Sequence, residues 1–179
     1  MNFSAAVATF FLITIACTGC ALPSASKQAD DGMPGSYLGL VNYADADTVR
    51  AWQEQSTEFV IIDVRTVDEF REDGHAPGAV IRSYYRGEKR AENINFLRAI
   101  TSRFDAGQRL LLLCASGTRA TQAAWELGEK QGFSDVYVFP GGYEGADKKG
   151  YMRGDGWKAA GLPVIFPLGE PDERENPNQ

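Results

Sequence analysis

The sequence of 179 residues contains one histidine, His75, and three cysteines, two of which, Cys17 and Cys20, lie close together near the N-terminus. So few soft ligands exclude the common zinc clusters, and no group of Cys, His and carboxylates has metal-ligand spacing; no metal and no other cofactor is expected. Positive charge is also scarce. With 18 Lys and Arg against 24 Asp and Glu, the net charge is −6, which argues against a nucleic-acid partner or general adhesion to anionic lipid. An anionic ligand would need a local positive pocket. No apolar run reaches the roughly 20 residues that cross a bilayer, and no internal repeat is present. The length suits one domain with a proper core.

The run AAVATFFLITIA, residues 5–16, carries no charge and is apolar except for two threonines. It is too short to span a membrane but suits the apolar core of a signal peptide, although MNFS before it carries no Lys or Arg. The Thr-Gly-Cys-Ala around Cys20 resembles the bacterial lipobox, with small residues ahead of a cysteine that receives lipid and Cys17 where a leucine is usual. Cleavage before Cys17 is the lesser option. Residues 1–19 are then a signal peptide, Cys20 the lipidated residue, and 20–36 a flexible tether. The resemblance implies a protein of the bacterial cell envelope, facing the periplasm and attached to a membrane through its N-terminal lipid. With Cys17 and Cys20 removed or lipidated, Cys114 is left without a disulfide partner in its own chain, and a reactive role becomes a serious candidate beside that of a buried inert thiol.

Strands and helices alternate along the rest of the chain. Residues 46–55 read as a helix capped by Asp45 or Asp47, with Val49 and Trp52 facing inward. EFVIIDV (58–64) is a buried β-branched strand, and Thr66 to Glu69 is a capping box that opens a short helix ending near Gly74. GAVI (78–81) is a short strand. Residues 92–104 place Ile94, Leu97, Ile100 and Phe104 at helical spacing, and 109–113 form the next strand. A helix over 118–131 follows at once, stopped by Gly132, and residues 136–139 form another strand before Pro140-Gly141-Gly142. After a loose, glycine-rich stretch Trp157 and Leu162 rejoin the body, and residues 167–179 read as a disordered tail. Such alternation predicts an α/β sandwich around a mostly parallel central sheet. Its site is expected at the carboxyl ends of the strands, where Asp63, Arg65, Cys114 and Gly141-Gly142 converge.

The segment LLLLCASGTRATQAAWELGEKQ (110–131) puts Cys114 between a strand and a helix. Loop N–H groups of Ala115, Ser116, Gly117, Thr118 and Arg119, together with the helix N-terminus, favour a sulfur anion there, and the thiolate is the nucleophilic form of cysteine. The Ser116 and Thr118 hydroxyls can add donors, and Gly117 accepts the positive φ of a sharp turn. Arg119 either orients an anionic donor or pairs with a neighbouring carboxylate and braces the loop. Arg65 reads as a secondary anion contact and Asp63 as structural support that pins the loop. Trp125 reads as core packing.

Four segments in order resemble the rhodanese domain: IIDVR (61–65), GHAPGAV (74–80), CASGTRA (114–120) and GLPV (161–164), with the glycine pair 141–142 also in place. The resemblance covers residues 37–166 as one rhodanese-like domain, a three-layer sandwich with a mostly parallel central sheet. It implies a sulfurtransferase that moves sulfane sulfur from thiosulfate, polysulfide or persulfide to a thiophilic acceptor, with Cys114 as nucleophile and persulfide carrier. Its partners would be a small sulfur-containing anion or a protein thiol. Two alternatives stay open: a non-catalytic rhodanese-like binding or regulatory module, and a cysteine phosphatase or arsenate reductase of the same fold. The phosphatases wrap a longer loop around phosphate, whereas only Ala115, Ser116, Gly117 and Thr118 separate Cys114 from Arg119 here. For the N-terminus, the expected outcome of metabolic palmitate labelling is incorporation that disappears in Cys20→Ala; labelling that survives the substitution refutes lipidation at that site.

Overall fold

The computed structural model describes residues 40–86, 91–92, 95–145 and 154–166. The signal peptide, Cys20, the tether and the tail 167–179 lie outside the described residues. The elements are β1 (Asn42–Tyr43), α1 (Ala46–Glu54), β2 (Val60–Asp63), α2 (Val67–Glu72), β3 (Val80–Ile81), β4 (Tyr85–Arg86), β5 (Ala91–Glu92), α3 (Phe96–Thr101), β6 (Leu110–Leu113), α4 (Thr118–Gln131) and β7 (Val136–Val138). Five strands form a parallel sheet in the order β1-β7-β6-β2-β3, while β4 and β5 pair as a separate antiparallel ribbon. This is the α/β architecture around a parallel central sheet that the alternation of elements predicts.

The leucine run of β6 explains the layering. Alternate side chains of a strand point to opposite faces, so Leu110 and Leu112 enter one core with Phe96 and Ile100 of α3 and Ala120, Ala123, Ala124 and Leu127 of α4. Leu111 and Leu113 enter the other, with Val49 and Trp52 of α1, Trp157 and Leu162. All four leucines are fully buried, as expected of a strand covered on both faces. Trp125 is half-buried and packs against the first core.

Local signals act as the sequence suggests at the helix ends. Asp45 caps α1, its side chain accepting from the Thr48 N–H at 2.9 Å, and the capping box of Thr66 and Glu69 opens α2. Two expectations need correction. The strand expected over 78–81 begins only at Val80, because Gly78 turns the chain with φ +73°. The helix expected over 92–104 is α3, Phe96–Thr101. Glu92 belongs to β5 instead, and beyond Ser102 only looser turns to the Ile100 carbonyl continue.

Backbone stacking then positions the loop after β6. Asp63 stands opposite Leu113 in the β2–β6 register, so the chains leaving both strands emerge side by side. From the other flank the turn after β7 lies on the loop: the Tyr143 N–H donates to the Cys114 carbonyl at 2.6 Å and the Glu144 N–H to the Ala115 carbonyl at 2.8 Å. This approach needs glycine. A Cβ on Gly142 would sit 2.6 Å from both carbonyl oxygens, and its φ of +64° is one that side chains disfavour. Gly156 packs on the outer side of the same turn, where a Cβ would collide with the Gly145 nitrogen, and the Trp157 N–H donates to the Gly142 carbonyl at 2.8 Å. Gly142→Ala should cost more than about 1 kcal/mol from φ alone and loosen the Cys114 backbone. Thermal unfolding and the rate of Cys114 alkylation measure both, and a wild-type melting temperature would show that the two backbones are not locked together.

Candidate functional site

Cys114 follows the last residue of β6 and is 1% exposed. Among the described residues two N–H groups reach its sulfur, Gly117 at 3.1 Å and Ala120 at 3.4 Å. The second lies one residue past the loop expected to supply them. Gly117 is the N-cap of α4, with φ +92° and no side chain to cap the helix; the Cys114 sulfur takes the acceptor position that a capping oxygen usually fills. An acceptor at a helix N-terminus also meets the positive end of the macrodipole, which favours negative charge on sulfur. Ser116 and Thr118 are half-buried. The Thr118 hydroxyl is buried with no hydrogen-bond partner among the described residues. Ala115 contributes its carbonyl to the Glu144 N–H.

The arginines do not face an open pocket. Arg119, 7% exposed, forms a two-pronged ion pair with Glu69, Nη1 to Oε2 at 2.8 Å and Nη2 to Oε1 at 2.7 Å. Of its two sequence readings, this geometry is that of a loop brace. The expectation for Arg65 is corrected: its side chain is wholly buried, and its guanidinium donates to both Asp63 oxygens at 2.8–3.1 Å and to the Gly74 carbonyl at 2.7 Å. A side chain so enclosed does not meet a diffusing anion. Burial raises the pKa of the Asp63 carboxyl against the pull of Arg65, the sign of an ion pair that fixes position more than it adds stability. His75 is buried in its turn, with Nδ1 3.0 Å from the Ala76 carbonyl and its ring stacked on Phe70.

Sequence reasoning missed two residues. Tyr143 is buried, with the Arg65 guanidinium 3.8 Å above its ring and its hydroxyl donating to the Asp73 carbonyl at 3.0 Å. Burial pushes its pKa up to about 12, Arg65 pulling the other way and nearby carboxylates adding to the rise. Glu69 is the brace's other half. Its signal lay in the capping box, which directs the Glu69 side chain back over the start of α2 and holds it there by the Thr66 N–H at 2.8 Å.

Residues 45–149, more than half of the chain, match the family model described as a rhodanese-like domain. The chain belongs to that family. It is similar to "Thiosulfate sulfurtransferase 16, chloroplastic" from Arabidopsis thaliana, 36% identical over 91 residues that make up 50% of this chain and 74% of that protein. It is also 39% identical over 84 residues to "Senescence-associated protein DIN1" from Raphanus sativus, covering 46% of this chain and 45% of that one. Among solved structures, that of Rv0390 from M. tuberculosis superimposes with a TM-score of 0.53 at 29% identity, over 69% of this chain and 98% of that one.

The rhodanese-like loop therefore carries its charges in internal pairs, and this makes the brace pH-sensitive. Burial alone would raise the Glu69 pKa, but hydrogen bonds from Arg119 and Thr66 and the Arg119 charge outweigh it and hold the carboxyl at about 2. Burial likewise lowers that of Arg119, yet the hydrogen bonds to Glu69 and the electrostatic pull of Cys114, Glu69 and Asp63 hold it above its ordinary value. A folded-state pKa below the unfolded one means that the unfolded chain takes up the proton first. The brace's stabilisation is therefore complete above the ordinary carboxyl value of 4.5 and is lost as pH falls toward about 2. Urea unfolding across that window should show a shallower decline for Glu69→Gln than for wild type; equal slopes would disprove the assignment.

Proposed function

We propose that this protein is a sulfurtransferase that carries sulfane sulfur as a persulfide on Cys114. The observation that carries the reading is the sulfur held at the N-terminus of α4 by the Gly117 and Ala120 N–H groups. The thiolate attacks the outer sulfur of a donor such as thiosulfate; the donor's S–S bond breaks and sulfite leaves with the bonding pair. Cys114 then bears –S–S⁻, whose outer sulfur is taken by an acceptor such as a thiolate or cyanide, and the Cys114 thiolate returns. The same N–H groups serve the anion at both stages, fixed donors costing no reorganisation as charge moves. The name of the Arabidopsis relative supports this chemistry. The lipid expected at Cys20 would hold it at the bacterial cell envelope.

Incubation of purified protein with thiosulfate, polysulfide or an organic persulfide should add one sulfur atom at Cys114, seen by intact-mass and peptide mass spectrometry. Cys114→Ser should abolish the gain and leave the fold intact by circular dichroism. No gain with any donor would overturn the sulfurtransferase reading in favour of a binding module.

A further inference from the structure

Both arginines that the sequence brings to the site, Arg65 from a strand end and Arg119 from the loop, are held by carboxylates, Arg65 by Asp63 and Arg119 by Glu69. Each pair is neutral as a unit. Arg119 has the direct link to the nucleophile, since it follows Thr118 in the first turn of α4, whose N–H groups hold the sulfur. Glu69 occupies both outer nitrogens of its fork, Nη1 and Nη2. The fork is the part of an arginine that clamps an oxyanion.

A donor approaching a thiolate carries its own negative charge. Thiosulfate brings two charges, whereas an organic thiosulfonate or hydropersulfide anion brings one. Backbone N–H dipoles attract any sulfur anion, but they do not supply the full positive charge that offsets the second unit of repulsion. On the proposed sulfurtransferase reading, we infer that Glu69 is a positioning residue that withholds the Arg119 guanidinium from the donor and so sets the site for singly charged sulfane donors over the thiosulfate dianion. The step balances for both. With methanethiosulfonate, CH3SO2–S⁻ and Cys114–S⁻ give Cys114–S–S⁻ and CH3SO2⁻; with thiosulfate the leaving group is the sulfite dianion.

The test compares methanethiosulfonate with thiosulfate as donors to wild type, Glu69→Gln and Glu69→Asp, reading Cys114 persulfide formation and steady-state KM and kcat. Wild type is expected to favour methanethiosulfonate in kcat/KM by about tenfold or more. Glu69→Gln leaves Arg119 with an uncompensated charge and should narrow that ratio by about tenfold, through a lower KM for thiosulfate rather than a higher kcat. Glu69→Asp keeps the negative charge and should keep the wild-type preference. A wild type that prefers thiosulfate overturns the inference while leaving the sulfurtransferase reading intact. So does a ratio unchanged in Glu69→Gln, or equal losses with both donors in both variants, which would mark Glu69 as a structural brace alone. Failure of both donors to load wild type overturns the inference together with the function on which it rests. Should Glu69→Gln not fold, the wild-type donor preference still decides, since a preference for thiosulfate overturns the inference.

Discussion

A helix that begins without a capping side chain leaves backbone N–H groups in want of an acceptor, and in this protein the acceptor is the sulfur of Cys114. Much of the site follows from that substitution of sulfur for oxygen. The chain has to turn from β6 into α4 within a few residues, so Gly117 takes a left-handed conformation and itself offers no cap. The sulfur then gains hydrogen bonds that an ordinary core cysteine lacks, at the helix end where negative charge is favoured. The hydrogen bonds that the start of the helix needs and those that hold the Cys114 sulfur are one set of contacts. The helix is held in turn by its buried alanines and Leu127 against the sheet, which keeps those donors where the sulfur sits.

The backbone on the other side of Cys114 is fixed by a different means. Two carbonyls, those of Cys114 and Ala115, accept from the turn after β7, and the turn comes close enough only because Gly142 has no side chain. Gly156 lets a further segment close over that turn. The positions of these glycines are therefore constraints on the Cys114 backbone, although neither Gly142 nor Gly156 touches sulfur. Charge is handled with equal economy: Asp63 with Arg65, and Glu69 with Arg119, tie α2 and the strand ends to the loop. Tyr143 joins the two systems, its N–H on the Cys114 carbonyl and its ring beneath Arg65.

What could be read in the sequence was whatever local chemistry decides. Strand β6 and helix α4 were legible because four leucines end at a small-residue loop, and because Gly132, with φ +74°, stops the helix where a left-handed residue is needed. The capping box of α2 was legible for the same reason. Strands of two residues, β1, β4 and β5, carry no period to detect. The partner of Arg119 was hidden by a separation of 50 residues, which no spacing rule bridges. Arg65 is the instructive case. A strand-end position locates its backbone but not the direction of its side chain, and the chain bends after Asp63, two residues earlier, so that both the N–H and the guanidinium of Arg65 reach the Asp63 carboxylate. That spacing already offered an internal pair, and burial enforces it, because a guanidinium taken out of water needs its carboxylate.

Burial also separates what holds this site together from what it can do. Arg65, Asp63 and Arg119 are so enclosed that their charges answer to one another before they answer to a ligand. Paired charges give a loop its shape with a weaker field than free ones, because the potential of a close pair falls away far faster than that of a single charge. At Cys114 the direct contacts are the Gly117 and Ala120 N–H dipoles, short in range and aimed at one atom, and the Arg119 charge adds to them. In a chain with net charge −6, whose overall field opposes anions, the proposed persulfide chemistry depends on that local arrangement.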